Sequence, residues 1–563
     1  MIELIIYFFL IILFVLSSGH FLAKLILKRN SYAIEIHELG FLGIFFCTLL
    51  STFLHFFLPL NQFLNLMIAI ILILHFFFTY TFKKESFKIS YSKLLYLFPF
   101  LIVVIMSIKY KPNEDYGFYH LPYIINLVNE KIIFGLANLQ AQYAWNSTWL
   151  NFSSIFYLPL IELKGTQLSN SVLFFFIILF FFKNNFYENK NGKLSFYLIL
   201  FFSFYLIIKF SRISEHGFDL PANFFLVLSF YYLARLYETD DSTLVLKNFI
   251  FLLIFSTFSI SIKLSTFVAP FLVAIGFYKF LKCKISFRKI TIPFFLSFIF
   301  FISWISQQFI YSSCLVPFYE ITCLKFTAWF QPGLSDALTQ VTGAVNKSYN
   351  EYSGNLSKEE YLDNFNWVTT WFNRNKIQFL EHLAALLIPV FLLLLINFKK
   401  LKFKKFKKVN YQKIVNIYLL IFCVAFLGLV IWFLKSPVIR FGIPYLFLFN
   451  FLILFLIFKF FFQDQNLIGI TFIISICIFF NISKNLLRIN NTEFYGSYFP
   501  KILEINYSKK EVNDFIINFP DPEIISSQSR LCWSIPYICH IGKGDNIEIY
   551  KKNNYLMVIN KNE

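Results

Sequence analysis

Residues 1–10 read MIELIIYFFL, and the apolar run they open continues to Leu27. No basic segment stands ahead of it and no small-residue cleavage site follows, so it predicts a membrane span rather than a cleaved signal peptide. A helix needs roughly 20 apolar residues to cross about 30 Å of hydrocarbon, and 2–27 supplies them. Apolar runs bounded by Lys, Arg, Asn or Pro place further spans near 36–59, 62–82 and 94–109. Others follow near 167–182, 194–210, 219–237, 246–262 and 265–281, then near 290–311, 379–397, 414–434, 441–462 and 467–484. About fourteen spans make an all-α polytopic membrane protein.

The composition agrees. Of 563 residues 58% are hydrophobic and only 14% are charged, against about 25% charged in an ordinary soluble domain. Mean hydropathy is +0.64. A soluble enzyme, a disordered chain and a secreted disulfide scaffold are all excluded. The 82 Phe accompany many Ile, Asn and Lys, which share A/T-rich codons. That surplus reads as nucleotide bias filling lipid-facing positions.

Fifty Lys and Arg against 31 Asp and Glu give a net charge of +19. Nucleic acid is one partner for such a charge, but basic loops also orient membrane proteins. If 28–35, with Lys28 and Arg29, is cytoplasmic, alternation puts 83–93, 183–193, 238–247, 279–289 and 398–413 on the same side. Those loops hold Lys83, Lys84, Lys88, Lys183, Lys190, Lys193, Lys279, Lys282, Lys284, Arg288, Lys289 and the run from Lys399 to Lys408. Only 238–247 departs, with Glu238, Asp240 and Asp241. The charge is therefore a topology signal, and no nucleic-acid partner is expected. Both termini come out on the outer face, and with the bacterial family resemblance given below the expected location is the bacterial cytoplasmic (inner) membrane.

Three long stretches then face outward: 110–166, 312–378 and 485–563, with short turns at 211–218 and 435–440. The expected division is a multi-span domain over 1–484 and an extracytoplasmic C-terminal cap over 485–563. The cap alternates apolar runs, Asn546–Tyr550 and Tyr555–Ile559, with turns at Gly542 and Gly544, which predicts a small β-containing segment. Of eight Cys, Cys47, Cys423 and Cys477 fall inside spans and Cys283 in a cytoplasmic loop. The remaining four form two close pairs on the oxidising face, Cys314 with Cys323 and Cys532 with Cys539, and are disulfide candidates. Four unpaired thiols are the alternative. No zinc-site spacing is present.

The stretch richest in chemistry is Asn113-Glu114-Asp115-Tyr116-Gly117-Phe118-Tyr119-His120-Leu121-Pro122. Two adjacent carboxylates, two tyrosines and a histidine stand where a span leaves the membrane. An amphipathic helix is predicted from Leu121, with Ile124, Leu127, Val128 and Lys131 on one face and Asn126, Asn129 and Glu130 opposite. Pro122 suits a helix start. A second begins near Asn146-Ser147-Thr148-Trp149, with Trp149, Phe152 and Phe156 together. Such helices lie flat at the membrane interface. A carboxylate there could act as a general base on a hydroxyl, or help hold a divalent ion such as Mg or Mn on a phosphate. A solvated acidic loop pair is the plainer reading.

Ser211-Arg212-Ile213-Ser214-Glu215-His216-Gly217-Phe218-Asp219 crowds four ionisable groups into one turn between apolar spans. Asp219 stands at the mouth of the next span, where carboxylates are costly and usually functional. Lys263 interrupts an apolar run and Arg440 sits in Ser436-Pro-Val-Ile-Arg-Phe-Gly442, both in outer turns. A lipid-linked phosphate at headgroup level would give them a purpose, Arg binding it bidentately and Lys as a point charge. Ordinary snorkelling to lipid phosphate is the alternative.

An acidic pair in the first large outer loop, flanked by amphipathic helices, resembles the GT-C class of membrane glycosyltransferases. That class includes protein O-mannosyltransferases and lipid A aminoarabinose transferases. The resemblance implies a GT-C-like bundle, a polyprenyl-phosphate sugar donor, and a loop carboxylate as base or metal ligand. That carboxylate maps onto Asp115, with Glu114 beside it, and the class's Arg…Asp turn resembles Arg212 to Asp219. The strings EDYGFYHLPYI, GLANLQ, FDLPANF, IKLS, SPVIRFG and CW…PYIC also look like a family of bacterial polytopic proteins of unknown function. That likeness covers roughly 110–540. About three more spans precede the acidic motif than in GT-C enzymes, and DxD and WWDYG-type signatures are absent.

The first functional expectation is a glycosyltransferase moving a sugar from a polyprenyl-phosphate carrier to a glycan, lipid or protein acceptor on the outer face. Asp115, Glu114, Asp219 and His120 are its candidate catalytic residues, with Asp115 and Asp219 candidate metal ligands. Tyr116, Arg212, His216, Lys263 and Arg440 are the candidate substrate-binding set. A surface polysaccharide polymerase or ligase is a second expectation, which would need Arg and His in 312–378. That loop has Arg374 and Lys325 but no histidine. A transporter or flippase of lipid-linked glycans is a third, although no internal repeat is visible.

Overall fold

The computed structural model describes residues 2–27, 34–81, 97–108, 115–184, 193–210, 213–396, 408–461, 467–489, 502–521, 531–541 and 547–560. The helices of the first half are α1 Ile2–Leu27, α2 Ile36–Leu54, α3 Gln62–Thr81, α4 Leu97–Ser107, α5 Leu121–Asn129, α6 Thr148–Ser154, α7 Leu163–Thr166, α8 Ser169–Phe182, α9 Leu194–Lys209, α10 Asp219–Tyr237 and α11 Ser242–Ile262. Those of the second half are α12 Ala269–Lys282, α13 Thr291–Ser312, α14 Leu334–Gly343, α15 Lys358–Leu362, α16 Val368–Ile396, α17 Lys408–Lys435, α18 Ile439–Phe461 and α19 Leu467–Ile489. Two antiparallel hairpins close the chain, β1 Tyr507–Val512 with β2 Phe515–Pro520 and β3 Ile547–Lys552 with β4 Tyr555–Asn560.

A helix stands at every place where a span was expected. Eleven are long and apolar enough to cross a membrane among the described residues. The other three differ for visible reasons. α4 has 11 described residues, the stretch before it lying outside them, and α9 is 16 residues long. α10 has the length but mixes Asp219, Asn223, Ser229, Tyr231, Tyr232 and Arg235 into its apolar sequence, and the bundle buries it. The chain is thus a multi-pass helical membrane protein with a small C-terminal β region.

α1 and α2 cross backbone to backbone. A Cβ on Gly19 would lie 1.8 Å from the Leu39 carbonyl oxygen, and one on Gly43 would lie 1.9 Å from that of Val15. Small residues at such a crossing let dispersion act where lipid offers no hydrophobic drive. Phenylalanine fills the centre. The Phe41 ring meets Phe176, Phe180, Phe224, Phe225 and Phe255 at 5.2–6.5 Å between centroids. The Phe surplus is therefore core as well as lipid-facing, which corrects the expectation that it merely coats the outside.

Two further expectations change. α5 and α6 do not lie flat on a surface, since every residue of α5 up to Val128 and all of α6 are buried. Of the polar positions of α5, Asn126 is buried with the apolar ones, while Asn129 is exposed and Glu130 half-buried at the helix end. Asn146 Nδ2, just before α6, donates to Gln307 Oε1 at 3.0 Å, and Tyr123 of α5 donates its hydroxyl to Tyr311 at 3.1 Å. A polar stripe matched by internal partners looks the same in sequence as one facing water. The acidic 238–247 turn also has a local explanation. Glu238 accepts from Ser195 N at 3.0 Å, Asp240 pairs with Lys279 at 3.1 Å, and Asp241 caps α11 through Thr243 N at 2.8 Å.

The second hairpin docks on the loop that follows α5. Phe134 N donates to Leu556 O and Val558 N to Phe134 O, both at 2.9 Å. Gly135 holds φ +70°, and a Cβ there would lie 2.2 Å from Val558 O. The tight turns Asn513-Asp514 and Asn553-Asn554 have positive φ throughout, the two-residue hairpin geometry. The turns expected at Gly542 and Gly544 lie outside the described residues, as do Lys28, Arg29, Lys83, Lys84, Lys88, Lys190 and the basic run up to Lys407. Both outer cysteine pairs are bonded, Cys314 to Cys323 and Cys532 to Cys539.

Overpacking of this kind costs about 1–3 kcal/mol or more, so Gly43→Leu should lower the melting temperature in detergent and shift the protein toward aggregate on size-exclusion chromatography. Gly343→Ala, whose Cβ meets nothing within 4 Å, is the matched control and should behave as wild type.

Candidate functional site

Four elements converge at the end of the bundle that carries the hairpins. Asp115 opens a π-helical turn, Tyr116–His120, that leads into α5. Asp219 is the first residue of α10, Lys263 follows the last residue of α11, and Arg440 is the second residue of α18. A carboxylate at a helix N-terminus and an ammonium at a C-terminus both complement the helix dipole. Arg440 does not, since it puts a cation at an N-terminus. It needs anions.

It has two. Arg440 Nη2 lies 3.2 Å from Asp115 Oδ2, and Arg440 Nε lies 3.2 Å from Asp219 Oδ2. The other oxygen of Asp219 accepts from Lys263 Nζ. The chain Asp115, Arg440, Asp219, Lys263 is charge-balanced, and its side chains are graded in exposure at 29%, 41%, 25% and 17%. The lysine end is the more enclosed, and the guanidinium is the most exposed of the four side chains although its Nε is buried. Lys263 Nζ also sits 3.5 Å from the Phe441 ring centroid and 5.2 Å from that of Phe218, distances at which a ring face attracts a cation. Burial pushes the Lys263 ammonium below its ordinary pKa, with Asp219 opposing. Asn223, one turn along α10, donates to the Arg440 carbonyl at 2.9 Å.

Tyr119 stands one turn beyond Asp115. Burial, then the charges of Asp115 and Asp219, hold its phenol well above its ordinary pKa against the pull of Arg440, so it stays protonated. His120 is buried, with its ring 4.4 Å from Tyr119 and 5.0 Å from Phe218.

The residues proposed from sequence separate into two sets. Asp115, Asp219, Lys263 and Arg440 form the cluster, and His120 borders it. Tyr116 and His216 pack behind it instead, stacked at 5.1 Å and 10°, with Trp533 of the C-terminal segment on Tyr116. Both are fully buried. Their place in the structure is the joint between the acidic loop, the 213–218 turn and the hairpin region. Glu114 and Arg212 lie outside the described residues. Sequence reading noted Tyr119 in the acidic stretch without nominating it, and did not single out Asn223 or Phe441. The first two stand one helical turn from a carboxylate already singled out, and the third adjoins Arg440.

The donor set does not fit a divalent ion. Each carboxylate of the cluster already faces a guanidinium or an ammonium, and no group of three His, Cys, Asp or Glu is assembled among the described residues. Mg or Mn at Asp115 and Asp219 therefore carries no step below. What the cluster can do is bind a phosphate through its cations and accept a proton at the more exposed carboxylate.

A family described as Domain of unknown function (DUF8201) matches residues 1–447, which include all four members of the cluster. No curated protein matches the chain. No solved structure matches it either.

His216 supplies a pH test. Its Nε2 lies 2.9 Å from the Thr166 hydroxyl, which itself donates to Leu163 O at 2.7 Å, so the imidazole is the donor. Nδ1 is buried without a partner. Burial, with His120 adding to it, holds the ring well below its ordinary pKa. The unfolded chain then binds one more proton below about pH 6.5, and stability falls as pH drops through that value. Melting temperature measured from pH 7.5 to pH 5 should decline for wild type and decline less for His216→Gln.

Proposed function

We propose that this chain, which belongs to the DUF8201 family, is a membrane glycosyltransferase-like enzyme with a GT-C-like bundle of about fourteen spans. It would take a sugar from a polyprenyl-phosphate carrier and transfer it to an acceptor hydroxyl at the outer face of the cytoplasmic membrane. The observation that carries this reading is the meeting of Asp115, Asp219, Lys263 and Arg440 from four distant segments at one end of the bundle.

The parts divide as follows. Arg440 and Lys263 take the donor phosphate, with the guanidinium offering parallel N–H donors to two oxygens. Asp219 holds both cations in place while no substrate is present. Asp115, presented by the acidic loop and slightly more exposed than Asp219, serves as general base. The acceptor oxygen attacks the anomeric carbon, Asp115 receives the hydroxyl proton, and the bond from that carbon to the phosphate oxygen breaks. The leaving polyprenyl phosphate keeps the electron pair and stays on the cations. Tyr119, protonated beside the cluster, and His120 line the acceptor side.

Loss of a general base lowers turnover about 10²–10⁴-fold. Asp115→Asn in the native host should therefore reproduce the surface-glycan profile of a gene deletion, read by mass spectrometry, with the protein still present in the membrane. Asp219→Asn should do the same by releasing both cations. Unchanged glycans in both variants, where the deletion alters them, would remove the assignment.

A further inference from the structure

α13 is long and apolar enough to cross a membrane. From Thr291 to Ser312 it rises about 33 Å, close to the hydrocarbon thickness of about 30 Å. Arg288 and Lys289 stand just before it, at the end of the bundle away from the hairpins. Its last turn therefore comes out at headgroup level at the hairpin-bearing end, where Ile310 O accepts from Gly135 N at 2.9 Å. Along the way it shows lipid one stripe. Phe294, Phe295, Phe298, Phe301 and Ile302 are exposed, and Ile305 and Phe309, half-buried, continue that row at helical spacing. Trp329, from the loop that follows, lies against Phe309, with ring centroids 6.1 Å apart and its indole N–H donating to Phe309 O at 3.4 Å. The segment 313–329 thus hangs over the lipid-facing side of the last turns of α13.

That loop is closed on itself. Cys314 is bonded to Cys323, Leu315 N donates to Thr322 O at 3.1 Å, and Leu324 N donates to Ser313 O at 2.9 Å. Side chains alternate across such a pairing. The disulfide points inward and is buried, so Leu315 and Leu324 point outward, and both are exposed. Phe318 holds the inward side, stacked on Trp145 at 5.2 Å and 3°. On the outward side Ile321 is 95% exposed and Phe326 84% exposed, well above any residue of the α13 stripe. Lys325 and Glu320 pair beside them at 2.5 Å. Apolar side chains held this bare by a closed loop are unfavourable in water.

We propose that the disulfide-closed loop 313–327 is a membrane seat. Ile321, Leu324 and Phe326 insert among the headgroups and upper acyl chains of the leaflet at the hairpin-bearing end, while the Lys325–Glu320 pair stays at the headgroup surface. Continuity favours lipid over a protein partner. The loop prolongs a face already given to lipid, at the depth where that face reaches the headgroups. Trp329 stands at the same boundary, the level at which tryptophan rings collect. Through Phe318 the seat is fixed to the 141–145 turn, so it sets the height of the loops around α5 against the bilayer. The inference is independent of the transferase reading.

The test uses the full-length protein in phosphatidylcholine nanodiscs, with the photoreactive residue p-benzoylphenylalanine placed singly at Ile321, Phe326, Phe295 or Asp514. Phe295, on the α13 stripe, is the lipid-facing control, and Asp514, in the exposed turn of the first hairpin, is the water-facing one. The side chains replaced at 321 and 326 point away from the protein, so both variants should elute from size exclusion as wild type does. After illumination, mass spectrometry should find phosphatidylcholine adducts at 321 and 326. Their yield should match that at 295 and exceed that at 514 by at least about tenfold, the preference that burying one large apolar side chain sustains. Adducts at 321 and 326 no more abundant than at 514 would overturn the proposal. So would a crosslinked dimer of the chain in place of lipid adducts, which would make the patch a contact between copies.

Discussion

Arg440 carries its guanidinium at the N-terminal end of a helix, where the dipole disfavours a cation. Asp115 and Asp219, brought within reach of one another, would each raise the cost of ionising the other. Placing the guanidinium between the two carboxylates removes both penalties, and Lys263 completes the balance on the far oxygen of Asp219. In a partly desolvated setting neither half is tolerable without the other. This constraint fixes where α10, the end of α11 and α18 sit relative to the acidic loop, and so fixes the geometry of that end of the bundle.

The remaining architecture serves that arrangement. The Phe-rich centre around Phe41 holds α2, α8, α10 and α11 together. The acidic loop is held from the other side. Trp533 N donates to Gly117 O at 2.9 Å, its ring packs on Tyr116, and β4 pairs with Phe134. The C-terminal segment thereby acts as a brace on the loop that presents Asp115. α10 links the two ends, since it opens at Asp219 and closes near Arg235 and Tyr232. There Tyr232 reaches Glu38, which in turn accepts from Lys247 at 2.7 Å.

Much of this was legible in the sequence because lipid imposes a coarse rule, about 20 apolar residues per crossing, and the chain obeys it nearly everywhere. The rule misled where protein replaced lipid. α10 is as long as a span yet polar, because its polar groups meet other helices. α5 and α6 read as amphipathic because Asn126, Asn129 and Glu130 stand opposite an apolar face and Trp149, Phe152 and Phe156 share another. In the structure Asn126 and all of α6 are interior, and only Asn129 and Glu130 at the helix end are not. Of the site, the acidic loop, the 211–219 turn and the two stray cations were each visible, since basic or acidic groups at span ends need a reason. That Arg440 would bridge Asp115 and Asp219 was not visible. Asp115 and Arg440 are 325 residues apart, and only the common face of the membrane linked them. Tyr116 and His216 were chosen for polarity, but a stacked pair in the interior offers the same letters as a binding pair.

The most direct measurement is native mass spectrometry of the intact protein released from nanodiscs that contain a polyprenyl phosphate. The account predicts one lipid adduct on wild type and its loss in Arg440→Gln and Lys263→Gln at equal protein recovery. Arg440→Lys should retain only a weak adduct, because the ammonium cannot bridge as the guanidinium does. An adduct of equal intensity in all four proteins would contradict the claim that this cluster is built for a lipid phosphate.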